Sequence, residues 1–432
     1  MGLASKVAPS EPLPVHPRAD HPKRHVVGDC VAARVCVVSG RGVVSSLTIG
    51  SLCSGYGGLD LAVEEFFDAK TAWFSEFEAG PSRILEHHWP DVPNLGDMTQ
   101  IDWATVPKVD IIAGGTPCQD LSGAGKRQGM SEGTRSNLWV QMREAIATIK
   151  PSIVVWENVR GAYSARADSE VESEPRLLGD TGNGEPFLRA LGRVLGDLSE
   201  LGFDAEVVPV RASDVGAPHA RFRVFVIAYA RCVLGGAGWN SAPGEAYGGR
   251  SSANVGGSSG AHTPASMKLV PTPKASDGEW GTPRTSGRPI ERATHLGTIA
   301  TLMPTLAAAA EHEHLWDSLE DQSPFWLTEK GDDYWPAISR WAQVLGRKSP
   351  SPTVPDGKDG RHRLNPRFTE WLMGCDDGWL TDPAIWEPLG WSKSKVRNAA
   401  LKAGGNGVVT RQAFVALTVA WPRLSDLWEV SA

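Results

Sequence analysis

The 432-residue chain predicts an α/β fold: a doubly wound, mostly parallel sheet with a smaller irregular lobe placed late in the sequence. Three observations predict it. From Leu47, apolar runs of four to seven residues alternate with helix-length segments, as in βαβ units. Acidic or reactive side chains recur just after those runs, where open parallel sheets hold their ligands. Past residue 231 the alternation stops, and a Gly/Ser-rich stretch leads into Pro-, Thr- and Trp-rich sequence.

Composition bounds the class. Hydrophobic residues at 41% and charged residues at 22% are ordinary globular usage, in a chain long enough to bury a large core. The balance of 43 Lys+Arg against 50 Asp+Glu gives a net charge of -7. That excludes a small, uniformly basic nucleic-acid coat but not an enzyme with local basic patches. Six irregularly spaced cysteines argue against a disulfide scaffold and for a reducing compartment. No apolar run reaches the ~18 residues of a membrane span. The Pro- and His-rich N-terminus lacks the apolar region of a secretory signal. The expectation is a soluble, cytoplasmic protein.

The elements follow in order. Residues 1–45 hold five prolines and little periodicity, and read as a disordered tail. His21, His25, Cys30 and Cys36 lie within it at spacings that match no common zinc site, so no metal is expected. Residues 46–231 form the sheet lobe. Strands are predicted at 47–53, 71–75, 109–113, 153–156, 205–210 and 223–229, and helices at 59–67, 79–88, 137–149 and 187–201. The aperiodic, acidic stretch 164–186 reads as a long loop. Residues 232–263 have linker composition. Residues 264–360 are turn-rich, and 12 of the 17 tryptophans lie at or after Trp239, enough to fill a small irregular core. Residues 361–432 regain helical periodicity at 364–372 and 411–420 and return to the sheet lobe.

Four constellations carry chemistry. The first is SLCSGYGGLDLAVE at 51–64, where an apolar strand runs into Gly55, Gly57 and Gly58 and then a helix. Such a turn lets a ligand approach the main chain. Glu76 follows the next strand and is placed to accept ribose hydroxyls, and Asp97 follows in GDMT, placed for an adenine amino group. No phosphate-binding lysine or second Gly pattern follows, which argues against NAD or ATP. Ordinary βα turns with surface acids would explain the same residues one at a time. The second is GGTPCQDLSGAGKRQGM at 114–130: Cys118 sits after a buried-looking strand and ahead of a basic Gly/Ser loop. A thiol there reads as a nucleophile under a closing lid, although lone cysteines are more often small buried hydrophobes. The third is VVWENVRG at 154–161, with Glu157 at a strand end. The fourth is RASDVGAPHARFRVFVIA at 211–228, where Arg221 and Arg223 lie two apart and share one face at a strand start.

The order of SLCSGYGG, Glu76, GDMT, TPCQ, ENV and the Arg-x-Arg block resembles the DNA cytosine-5 methyltransferase family. RLNPRFTEWLMGCDDGW at 363–379 and GNGVV at 405–409 continue the resemblance beyond a large variable insert. It implies a Rossmann-like methyltransferase lobe and a target-recognition lobe. It also implies methyl transfer from S-adenosyl-L-methionine to C5 of a flipped-out cytosine in duplex DNA. Cys118 would add to C6, Glu157 would serve N3 and the exocyclic amine, Arg223 would donate to O2, and Arg221 would brace the site. Cys53, Ser54, Gly55, Tyr56, Gly57, Glu76, Phe77, Asp97, Met98, Pro117, Asn406 and Gly407 would hold the cofactor. The loop 122–130 would close over the base. Gln119, Ser122, Lys126 and Arg127, together with Arg347, Lys348, Arg361 and Arg363, would touch DNA.

The basic edge 340–367 has seven Lys/Arg against two Asp, and Lys393, Lys395 and Arg397 form a second patch. The sequence departs from the family where Cys53 replaces an aromatic ring, Thr116 a Phe, His219 a Gln, and Gly407 an Ala or Ser. Rival readings are an RNA methyltransferase of the transfer-RNA subfamily, a catalytically silent DNA-binding relative, and a cysteine hydrolase using His219. A monomer is expected, with a companion restriction endonuclease possible.

Overall fold

The computed structural model describes residues 46–116, 138–160, 166–167, 188–231, 267–277, 321–327, 332–357, 360 and 362–429. Its centre is a six-stranded sheet of β1 (Thr48–Leu52), β2 (Lys70–Ser75), β3 (Ile111–Gly114), β4 (Ile153–Val159), β5 (Phe203–Arg211) and β6 (Phe222–Ala230). The strand order is β2-β1-β3-β4-β6-β5. Neighbours among β2, β1, β3 and β4 are parallel, while β6 is antiparallel to both β4 and β5. The mostly parallel sheet expected from the sequence is therefore present, with one reversed strand.

The strands are apolar on both faces because both faces are covered. Ile112, Val154, Trp156, Val224 and Val226 face a core that includes α3 (Leu138–Ile149) and α4 (Ala190–Glu200). The alternate residues Ile111, Ala113, Ile153, Val155, Phe225 and Ile227 face a second core against α1 (Gly58–Phe67). The C-terminal helix α8 (Thr410–Glu429) joins that second core through Ala413, Ala416, Leu417 and Ala420. Helix α2 (Ala79–His88) matches its expected bounds. Helix α4 starts at Ala190 rather than 187, because residues 188–189 pair antiparallel with 166–167 inside the stretch read as a loop.

A third core spans the expected lobe boundary. Val270, Trp326, Tyr334, Ile338 and Trp341 from the irregular region pack with Leu364, Phe368, Trp371, Leu401 and Val409, and with Tyr56 and Ile84 of the sheet lobe. Across the expected border at 360, Thr353–Val354 pairs antiparallel with Arg363–Leu364. Two long helices here escaped the sequence reading. The first, α5 (Trp335–Leu345), buries Ala337, Ile338 and Trp341 and ends at the left-handed Gly346. After the short α6 (Pro366–Leu372) comes the second, α7 (Lys393–Asn406). Its N-cap Ser392 accepts from the Lys395 N–H, and its buried face is largely Ala and Gly. A face of small residues gives little hydropathy contrast, which is why periodicity missed it. Among the described residues, no helix is long and apolar enough to cross a membrane.

Candidate active site

The chain reverses its walk across the sheet between β1 and β3, so their carboxyl ends flank the crevice where open α/β sheets bind ligands. The Gly turn leaves β1 at Cys53, which takes a left-handed φ of 53° and donates its N–H to Ser75 O at 2.9 Å. Gly55 has φ 60° and donates to Glu76 Oε2 at 2.9 Å, while Glu78 N–H donates to Glu76 Oε1 at 2.9 Å. One carboxylate thus fixes the turn and the entry to α2. Burial pushes the Glu76 carboxyl above its ordinary range. Ser54 shares a 2.6 Å hydrogen bond with Ser51, and Cys53 Sγ lies 3.7 Å from Met98 Sδ. Asp97 accepts from the Thr99 N–H at 3.0 Å. Phe77 stands 75% exposed beside Glu76, an apolar ring with nothing over it among the described residues. Asn406, the last residue of α7, is exposed.

Tyr56, expected among the residues that hold the cofactor, follows Gly55 in the turn. Its side chain is fully buried, and its hydroxyl donates to the Val408 carbonyl. A Cβ on Gly407 would lie 1.9 Å from its ring. Trp379 Nε1 donates to the Tyr56 carbonyl at 3.0 Å. Tyr56 is therefore a clamp between the Gly turn and the C-terminal segment. Gly57 is also buried, and a Cβ there would lie 2.5 Å from the Trp89 ring.

One strand further along the edge, Glu157 sits near the end of β4 and is 8% exposed. The antiparallel register sets Val159 opposite Arg223, so Glu157 and Arg223 project on one face. Their ion pair measures 2.6 Å from Arg223 Nε to Glu157 Oε1. Burial still pushes the Glu157 carboxyl up, with Arg223 and then Arg221 opposing it. Gly115 leaves room for this carboxylate: a Cβ there would lie 2.8 Å from Oε2. Thr116 has a hydroxyl that accepts from Trp156 Nε1 at 3.0 Å. That bond ties the segment leading to Cys118 to the strand carrying Glu157.

Arg221 makes other contacts. Strand β6 begins at Phe222, and the Arg221 guanidinium turns to the carbonyls of Pro273, Gly405 and Gly407. His219 is fully buried, and its Nε2 donates to Leu372 O at 3.0 Å. Burial drives its pKa down to about 3, so it stays neutral and far from the poise of a general base.

Pro117, Cys118, Gln119, Ser122, Lys126, Arg127 and Arg361 lie outside the described residues. The described part of the basic edge is largely neutralised within the chain. Arg363 pairs with Asp356 through two bonds of 2.7 Å. Arg347 donates to the Cys375 carbonyl, and Arg367 reaches Asp377 at 3.1 Å. Lys348 is exposed. Arg397 is 8% exposed and donates to Leu364 O, which removes it from the expected second patch. Among the described residues, no group of three or more His, Cys, Asp or Glu is placed to hold a metal. Gly115 and the buried Asp60 of α1 were not singled out from sequence, and no local pattern marks them.

Comparison with known proteins adds a family match. Residues 47–233 match the model of the C-5 cytosine-specific DNA methylase family. A DNA N-6-adenine-methyltransferase of Escherichia phage P1 is 31% identical over 227 residues, covering 44% of this chain and 29% of that protein. The type II methyltransferase M.NgoFVII of Neisseria gonorrhoeae is 30% identical over 179 residues, covering 41% of this chain and 42% of the relative. For M.HhaI of Haemophilus parahaemolyticus the identity is 28% over 186 residues, covering 43% and 50%. The matched stretch thus spans half or less of each of these relatives. Among solved structures, DNMT2 of Spodoptera frugiperda aligns at TM-score 0.45 with 14% identity, over 87% of this chain and 100% of that one.

Proposed function

We propose that this protein, whose residues 47–233 match the C-5 cytosine-specific DNA methylase family, transfers a methyl group from S-adenosyl-L-methionine to C5 of cytosine in double-stranded DNA. The observation that carries the proposal is the buried Glu157–Arg223 pair at the sheet edge. It lies beside Thr116, two residues before Cys118 in sequence.

Cytosine C5 is a poor nucleophile. In the proposed reaction the Cys118 thiolate bonds to C6, and ring electrons move toward N3 and C5. Glu157 supplies a hydrogen bond or proton at N3, a role its burial favours by pushing the carboxyl's pKa up. Arg223 donates to O2, where negative charge also gathers. C5 would then take the methyl group as its bond to the sulfonium sulfur breaks and the donor departs as a neutral thioether. Loss of the C5 proton and of the C6–S bond restores the aromatic ring and frees the thiolate. A base stacked in a duplex cannot meet these groups, so the target cytosine is flipped out before reaction.

S-adenosyl-L-methionine supplies an electrophilic methyl on a sulfonium. The residues present suit its nucleoside. Each Glu76 oxygen accepts one backbone N–H and keeps a lone pair for a ribose hydroxyl. The open Phe77 ring offers a stacking face for adenine. Asp97, Asn406 and the turn at Cys53–Gly55 complete the rim.

The phage P1 relative is named for adenine N6 methylation, which needs no attacking thiol. The Cys118, Glu157 and Arg223 set supports the C5 reaction instead. The same three residues speak against a catalytically silent DNA-binding relative. The neutral, buried His219 speaks against a cysteine hydrolase. RNA is the less favoured substrate, since the long variable region suits reading a groove.

Bisulfite sequencing of host DNA expressing the gene tests the reading directly. Protected cytosines at one recurrent sequence are expected, and they should vanish with Cys118→Ser. Uniform conversion in the wild-type strain would sink it. A duplex carrying 5-fluorocytosine should trap the wild type covalently, because fluorine at C5 cannot leave as a proton does.

A further inference from the structure

Arg221 is 2% exposed, and among the described residues its side-chain hydrogen bonds go to backbone carbonyls rather than to a carboxylate. Its Nη1 donates to Pro273 O at 3.1 Å, and its Nη2 donates to Gly405 O at 2.9 Å and also to Gly407 O. Three backbone carbonyls from two distant segments converge on one planar fork. Two of them belong to the C-terminal end of α7, where orphan carbonyls and the helix dipole favour a cation. The two segments also touch each other: a Cβ on Gly405 would lie 2.2 Å from Ala275 N. From Gly407 the chain of contacts runs to the Tyr56 ring, and so into the Gly turn whose Gly55 N–H is held by Glu76. On the other side, Gln412 Nε2 donates to Arg221 O at 2.9 Å and to Val210 O at 3.0 Å, fixing the arginine's own backbone. Burying a guanidinium against carbonyls alone is costly. Burial draws its pKa down to about 9.

We propose that Arg221 is a positioning residue: it holds Gly405–Gly407 and Pro273 together against the foot of β6, so that the cofactor pocket is completed by the C-terminal segment only while both are docked. This rests on the methyltransferase reading above. It separates the two arginines by task. Arg223 meets Glu157 on the target-base side, and Arg221 shapes the cofactor side through Gly407 and Tyr56. It also explains why lysine would not serve, since a point charge cannot span three carbonyls set by two segments.

The test is equilibrium titration of the full chain with S-adenosyl-L-methionine, without DNA, for the wild type and Arg221→Lys. The variant should bind about ten-fold more weakly, the scale of one lost charge-assisted hydrogen bond. Its KM for the cofactor should rise more than its kcat falls. Ile338→Val, in the same core but away from the pocket, should lower Tm without moving cofactor affinity. Wild-type affinity in a folded Arg221→Lys would overturn the assignment, as would a kcat loss at unchanged affinity, which would place the side chain at the base. Should the variant not fold, hydrogen exchange on the wild type decides. Amides at 405–409 and at 270–275 should gain protection together when the cofactor is added, and protection of one segment alone would overturn the coupling. If the wild type itself binds no S-adenosyl-L-methionine, the functional reading fails first.

Discussion

Asp60 lies in the first turn of α1 with no exposed surface. Burial, the largest influence, raises its pKa from 3.8 to about 7, with Ser51 opposing and Glu64 adding. A carboxyl whose folded pKa exceeds its unfolded value contributes stability below the unfolded pKa and loses it as pH rises through the folded one. Between pH 5 and 8 this site should therefore cost the wild type roughly 3 kcal/mol. Asp60→Asn should flatten that fall. Urea midpoints at the two pH values check it, and equal slopes for both proteins would remove Asp60 as the cause. Glu157 gives the second residue-scale expectation. Glu157→Gln should lower turnover by about 10²–10⁴ while cofactor affinity stays near wild type, as for a lost general acid. Single-turnover methylation beside cofactor titration separates the two. The sequence placed Glu157 at a strand end and Arg223 at a strand start. It took the antiparallel pairing of β4 with β6 to put them 2.6 Å apart.

At the scale of elements, the C-terminal segment after α7 is the part most sensitive to a small change. Gly407 has no room for a side chain, since a Cβ would meet the Tyr56 ring at 1.9 Å. Gly407→Ala should cost about 1–3 kcal/mol through overpacking and weaken cofactor binding, because Tyr56 must move with the Gly turn. Thermal unfolding and cofactor titration read the two effects, and a variant with unchanged Tm would mean the segment yields freely. The family's usual Ala or Ser at this position makes the departure informative: here the tyrosine ring occupies the space. Strand positions were legible to within a few residues, because apolar runs covered on both faces leave a strong local signal. Helix α7 was not, and the acids Asp356 and Asp377 that neutralise Arg363 and Arg367 cannot be matched to their arginines from spacing alone.

For the whole molecule, the shared third core decides how recognition can be re-engineered. Replacing residues 264–360 would remove Val270, Trp326, Ile338 and Trp341 from a core that also holds Tyr56 and Trp371. Such a chimera should fail to fold. A swap confined to 278–320 keeps every described core residue, and it should change the methylated sequence while leaving the chemistry intact. Bisulfite sequencing of the chimera's host DNA reads the outcome, and retention of the original site would move the search for the reader to residues 122–130.

By itself the sequence determined the alternation of strand and helix, and with it a parallel sheet whose carboxyl edge collects Cys53, Glu76, Asp97, Thr116 and Glu157. Those facts are local, since period and turn residues are set by neighbours a few positions apart. Only the tertiary structure decided what closes the site. Tyr56 meets Val408 across 352 residues of chain, and Arg221 meets Gly405 across 184. Contacts of that separation depend on which surfaces fit once the sheet has formed. A backbone carbonyl, offered alike by every residue, carries no mark in the sequence to say which arginine will find it.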